Sequence, residues 1–174
     1  MKRAVKYMIA TLTIAIAVFA FTACNDNNGE FVYEGTDVYG RTLGEIYDID
    51  SEDTGVFRVP YEIGGTSAIG KTMISANCAD YVTVEKTQSG YTLTFYCDDG
   101  MLGSVKVVRG SGKTQGKQGA ADGYQSFTFG MTREELDSEI SLECEVKIMN
   151  KVVEFSLTCD LSKAKLVGGR GRRK

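Results

Sequence analysis

Between residues 56 and 159 apolar and polar side chains alternate with a period of two in one stretch after another, the pattern of strands that bury one face. It predicts strands over 56–63, 81–86, 91–97, 104–109, 124–129, 141–148 and 152–159. The alternation is cleanest at 91–97, where Tyr91, Leu93, Phe95 and Cys97 share one face, and Thr87-Gln88-Ser89-Gly90 before it reads as a hairpin loop. Leu142, Cys144, Val146 and Ile148 form another inward face, with Val153, Phe155, Leu157 and Cys159 as its partner across a tight turn at Met149-Asn150-Lys151. Faces of this kind need a second sheet to cover them, so the expected class is all-β, an immunoglobulin-like β-sandwich. One short helix is expected at 132–136, where Thr132 can cap and Glu135 stands three residues later.

The alternation stops at both ends of the chain. Lys2, Arg3 and Lys6 precede an almost wholly apolar run over 8–21, and Phe21-Thr22-Ala23-Cys24 closes it with small residues before a cysteine. That order is a signal peptide with a lipobox, and the run is shorter than the ~20 residues that span a bilayer. The expectation is a chain exported by its leader (1–23) and held through acyl chains on Cys24 to the outer face of the cell membrane. Residues 24–55 carry Asp26, Glu30, Glu34, Asp37, Glu45, Asp48, Asp50, Glu52 and Asp53 against Arg41, with few aliphatic side chains, and read as a lipidated acidic tether. Residues 168–174, rich in arginine, read as a basic disordered tail, which leaves 56–167 as the folded domain.

Charge and chemistry narrow the function. The chain carries 20 Lys and Arg against 23 Asp and Glu, and three of the basic residues belong to the leader. Its one basic cluster is Arg170-Gly171-Arg172-Arg173-Lys174, which argues against a nucleic-acid partner. The chain has no histidine, which removes the commonest general base, the Ser-His and Cys-His pairs and ordinary zinc ligation, so the expectation is a protein that is not an enzyme. Gly65-Thr66-Ser67-Ala68-Ile69-Gly70-Lys71-Thr72 matches a phosphate-binding loop letter for letter, but the α/β unit such a loop requires is missing, and the match is read as chance. Gly110-Ser111-Gly112-Lys113-Thr114 reads as a polar flexible loop, and the acidic pairs before residue 55 lack EF-hand spacing. Beyond Cys24 the cysteines are Cys78, Cys97, Cys144 and Cys159. They are disulfide candidates with three possible pairings, or small buried thiols.

Three stretches carry a family likeness. Ser67-Ala68-Ile69-Gly70-Lys71-Thr72-Met73-Ile74-Ser75, between a first strand and Tyr81-Val82-Thr83-Val84-Glu85, resembles the lip helix of the NEAT family, surface domains that carry haem on an immunoglobulin-like fold. Tyr124-Gln125-Ser126-Phe127-Thr128-Phe129 with the capped turn after it resembles that family's sixth strand. Residues 149–162, closing in Asp160-Leu161-Ser162, resemble its last hairpin. The resemblance implies a NEAT-like sandwich with a short lip helix that binds haem or a related porphyrin and passes it to a transporter or another surface haem protein. Haem-binding members usually carry two tyrosines four residues apart on that hairpin. Here Met149 and Val153 stand there, which excludes tyrosine ligation. Some relatives that pass haem along use methionine sulfur, so the resemblance implies Met149 and Met73 as iron ligands, Ile69, Val153 and Phe155 as ring contacts, and Lys71 as a partner for a propionate. The other reading of the methionines is plain apolar packing. The alternative function is a non-catalytic adhesion or interaction module that recognises protein or glycan through surface tyrosines such as Tyr96 or Tyr124.

Overall fold

The computed structural model describes residues 35–168 apart from 38, 39, 53 and 122. The expected leader, the expected lipidation site at Cys24 and the arginine-rich run lie outside the described residues. Ten strands form: β1 (Gly55–Gly64), β2 (Tyr81–Thr87), β3 (Gly90–Cys97), β4 (Leu102–Arg109), β5 (Gly112–Gln115), β6 (Lys117–Ala121), β7 (Tyr124–Met131), β8 (Glu139–Val146), β9 (Lys151–Cys159) and β10 (Lys165–Gly168). Two short helices join them, α1 (Ala68–Asn77) and α2 (Arg133–Leu136).

The strands pair antiparallel in the order β5-β4-β8-β9-β1-β2-β3-β7-β6, with β10 also on β1. β1 belongs to both halves of this path. Its residues up to Pro60 pair with β2, and Tyr61 to Gly64 pair with β9. Pro60, which has no N–H to give a ladder, stands at the handover, and its carbonyl accepts from the Asp160 amide at 2.9 Å. A strand that changes sheets lets the two halves fold over one another as the layers of a sandwich. Between the layers lie Phe57, Val59, Val82, Val84, Leu93, Phe95, Phe127 and Phe129 from one side and Val105, Val107, Leu142, Cys144, Phe155 and Leu157 from the other, all buried. Each large side chain taken fully out of water contributes about 1.5–3 kcal/mol, which is why the alternation decides the fold.

The expected strands form where the alternation lies, and α2 carries the full capping box: the Glu135 amide donates to Thr132 Oγ1 at 3.2 Å and the Thr132 amide donates to Glu135 Oε2 at 2.8 Å. Several expectations need correction. β8 ends at Val146; Lys147–Met149 wind into a 3-10 turn, and Ile148, expected inward, is 76% exposed. A turn of three residues overrides an alternation of two. The glycine-rich 110–114 segment is not a flexible loop, because β5 returns along β4 with Val108 opposite Lys113, and Lys113 ion-pairs with Glu143. β5, β6 and β10 had no signal in the hydrophobic pattern: β5 and β6 are almost wholly exposed, and β10 buries only Leu166.

The tether expected over 24–55 is also corrected for its described part. Ile49 is 2% exposed and belongs to the core, with Leu43 and Tyr47 packed beside it. The Tyr47 amide donates to the Ala164 carbonyl at 3.0 Å, and Lys86 Nζ donates to the carbonyls of Ile49 and Asp50 at 2.9 and 3.2 Å. Three of the acidic residues that suggested a solvated spacer are matched by cations: Arg41 pairs with Asp37 and Glu52, and Arg133 grips both oxygens of Asp50 at 2.8–2.9 Å.

Candidate ligand site between α1 and the last hairpin

α1 starts at Ser67, whose Oγ accepts from the Gly70 amide at 3.2 Å, and ends at Cys78, which is already extended. Gly70 packs closely against the start of the helix: a Cβ there would come 2.4 Å from Thr66 Oγ1, and that hydroxyl would have to move aside. At helical spacing Ile69, Gly70, Met73, Ile74 and Asn77 fall on one face. That face is only loosely covered: Ile74 packs half-buried against the core, and no residue of α1 is fully buried. Opposite it, the β8–β9 hairpin turns through Lys147–Met149 and Asn150, whose positive φ of 47° lets the chain reverse. The Lys147 amide donates to the Met101 carbonyl at 3.1 Å and ties the turn to the loop after β3.

Between helix and hairpin is a cavity of about 240 Å³. Ile69, Gly70, Met73, Ile74 and Asn77 line it from α1, Met149, Val153 and Phe155 from the hairpin, and Phe95, Cys97, Met101 and Leu102 from the floor. No charged side chain lines it. Behind it Phe95 contacts Phe155 at a ring separation of 6.0 Å and Tyr61 edge-on at 6.2 Å. Tyr61 donates its hydroxyl to the Ala79 carbonyl at 2.6 Å, which secures the chain just beyond α1 to β1.

Five residues singled out in the sequence therefore meet at one place: Ile69, Met73, Met149, Val153 and Phe155. Lys71 does not join them. It lies off the lining face and is exposed, because a helix turns its neighbour Gly70, not Lys71, toward the hairpin. The sequence reading missed Met101, whose only signal was an apolar residue following the Asp98-Asp99-Gly100 turn, and the placement of the thiols. Cys78, Cys97 and Cys144 all face the cavity, whereas Cys159 does not line it. Burial pushes the Cys78 and Cys159 thiols up to about 12 and Cys97 up to about 11, and raises Cys144 as well, so these groups are neutral at physiological pH. Tyr96, expected at the surface, is 7% exposed and donates its hydroxyl to Thr83 Oγ1 at 2.9 Å.

A second, wider groove lies near Tyr91, Arg109 and Glu135. It is shallow and polar, and its charges are already engaged, since Arg109 pairs with Glu135 and donates to the Gly130 carbonyl at 2.7 Å.

No protein-family model and no curated protein matches the chain. Among solved structures it is similar to the NEAT5 domain of IsdX2, a B. anthracis hemophore, in complex with heme. The TM-score is 0.53 at 10% identity, over 63% of this chain and 98% of that one. A mutant of the same domain, also in complex with heme, matches at a TM-score of 0.53 and 10% identity, over 64% of this chain and 99% of that one. The fold is NEAT-like. At that level of identity the likeness speaks for the architecture, and the cavity has to speak for the ligand.

Proposed function

We propose that the chain binds haem, or a related flat porphyrin, in the cavity between α1 and the β8–β9 hairpin, and relays it for iron acquisition without catalysis. One observation carries the reading. Of the six exposed large hydrophobic residues described, all but Ile46 lie on α1 or at the end of that hairpin: Ile69, Met73, Ile148, Met149 and Val152. Three of these, Ile69, Met73 and Met149, line the cavity itself, and soluble domains rarely leave such side chains exposed at one mouth unless something apolar lies against them. The heme complexes of the NEAT5 domain support the same ligand class.

The residues fit such a group in two respects. The lining is apolar and uncharged, as a macrocycle face requires. Met73 and Met149 approach the cavity from opposite walls and offer thioether sulfur, a soft axial ligand; the haem iron would supply the acceptor for it. The cavity is smaller than the ~300–1,000 Å³ of sites that bury a small ligand, and α1, with no buried side chain, is the wall able to move outward. Lys147, exposed on the hairpin turn that also carries Met149, is offered in place of Lys71 as the cation for a propionate. The leader and Cys24 support a location on the outer face of the cell membrane through a lipid anchor, with a transporter or another surface haem protein to receive the cargo.

Haemin titration of the full chain, followed by visible absorbance beside Met73→Ala and Met149→Ala, tests the reading. The expected result is a saturable Soret band of low-spin shape that weakens in each variant. A spectrum that stays that of free haemin would refute haem carriage and leave a protein or glycan interaction module as the function. That alternative has lost Tyr96 to the interior and retains only the half-buried Tyr124 of the tyrosines first considered.

A further inference from the structure

Cys78 and Cys97 stand opposite one another in an antiparallel bridge. The hydrogen bonds beside them run between their neighbours: the Ala79 amide donates to the Tyr96 carbonyl at 3.2 Å and the Asp98 amide to the Asn77 carbonyl at 2.8 Å. A pair flanked in this way is the non-hydrogen-bonded kind, with Cα atoms ~4.5 Å apart and side chains on one face. That separation lies within the ~4.4–6.8 Å that a disulfide spans. Both residues line the same cavity, which shows independently that their side chains share that face. The other thiols are placed differently. Cys144 sits on β8 of the facing layer, and packed sheets hold their backbones ~10 Å apart, beyond the ~7 Å limit for a bridge. Cys159 is the cross-strand partner of Tyr61 on β1. All four are free thiols in the structure.

We propose that Cys78 and Cys97 form a redox pair: oxidation joins them in a cross-strand disulfide that pins the C-terminal end of α1 to β3 and restricts how far the helix can open over the cavity. The position gives the bond its effect. Cys78 is the residue that ends α1, and between its ends the helix has only the half-buried Ile74 against the core, so a bond at Cys78 adds a fixed point where the helix has few. The oxidant is a small-molecule disulfide acting by exchange. One cysteine thiolate attacks it and releases one thiolate; the second cysteine thiolate attacks the resulting mixed disulfide and releases the other. Two electrons pass to the reagent, and the two protein protons leave with its two thiol products.

The test is to incubate the full chain with oxidised glutathione or with a phosphine reductant, alkylate the remaining thiols in denaturant, and map tryptic peptides without reduction. Lys86 lies between the two cysteines, so trypsin separates their peptides unless they are bridged. The expected product is a Cys78–Cys97 cross-linked peptide with Cys144 and Cys159 alkylated. Oxidation is expected to raise the melting temperature on the order of 10 °C and to slow amide exchange at least tenfold in α1. Cys78→Ser and Cys97→Ser, each folded by circular dichroism, should lose both responses. Cross-linking to Cys144 or Cys159, alkylation of all four, or a glutathione adduct that never resolves would overturn the pairing; unchanged exchange in α1 would overturn the clamp. None of these readouts involves haem, so failure here and failure of the haem reading are separate results.

Discussion

Ile49→Ala measures whether the segment before β1 is part of the domain. Ile49 is 2% exposed within the core cluster, and its neighbourhood is held by hydrogen bonds from Lys86, by the Tyr47–Ala164 contact and by the Asp50–Arg133 pair. Truncation removes three carbons, a transfer loss of about 2.4 kcal/mol at ~0.8 kcal/mol per methylene. The backbone bonds on either side keep the segment from collapsing into the space, which adds a cavity cost, and the expected total is about 2–4 kcal/mol. For a domain of this size that corresponds to a fall of about 10 °C in melting temperature. Urea unfolding followed by circular dichroism, with calorimetry in parallel, reads both quantities. Ile46→Ala is the control: Ile46 is 58% exposed, and its truncation should cost within ~0.5 kcal/mol. A loss below about 0.5 kcal/mol for Ile49→Ala would show that residues 35–54 are a spacer after all and that the packing described has no energetic weight.

Arg133→Ala should flatten the acid limb of stability. Hydrogen bonds from Arg133 hold the Asp50 carboxyl below its ordinary value of 3.8, so the pair stabilises the fold above that pH, and the contribution is lost as pH falls through the lower, folded value. The variant should be less stable at pH 7 and lose stability less steeply below about pH 4. Denaturation midpoints from pH 2 to 7 check it, and an unchanged slope would count against the pairing. Oxidation of Cys78 and Cys97 by a small disulfide should speed up about tenfold per pH unit between 7 and 9, since burial keeps both thiols up at about 12 and about 11 and the attacking species is the thiolate. A flat rate profile over that range would mean that the attacking thiol is already ionised.

Much of the fold was legible because it is written in local periodicity. Leu93, Phe95 and Cys97 point inward because a strand has a period of two, and each is fully buried. The box at Thr132 and Glu135 was legible for the same reason, since both partners lie within one turn. Of the site, Ile69, Met73, Met149, Val153 and Phe155 could be named in advance only through the likeness of residues 67–75 and 149–162 to the lip helix and last hairpin of the NEAT family, and they line one cavity.

What escaped depended on contacts between distant parts of the chain. Lys113 in β5 is a strand residue because β4 is beside it and Glu143 is near, not because of its own neighbours in sequence. Ile49 is a core residue because β10, Lys86 and Arg133 hold an acidic segment against the sandwich, and composition alone reads that segment as solvated. By itself the sequence determined the alternating strands, the cap at Thr132, the lack of imidazole chemistry and the inventory of soft sulfur ligands, because each is a matter of residue type and spacing. Tertiary structure alone decided that β1 crosses between layers, that Lys71 turns away from the cavity while Met73 lines it, and that Cys97 faces Cys78 across one ladder with Cys144 in the opposite layer. Strand register and sheet order are set by burial summed over the whole domain, and no local pattern encodes that sum.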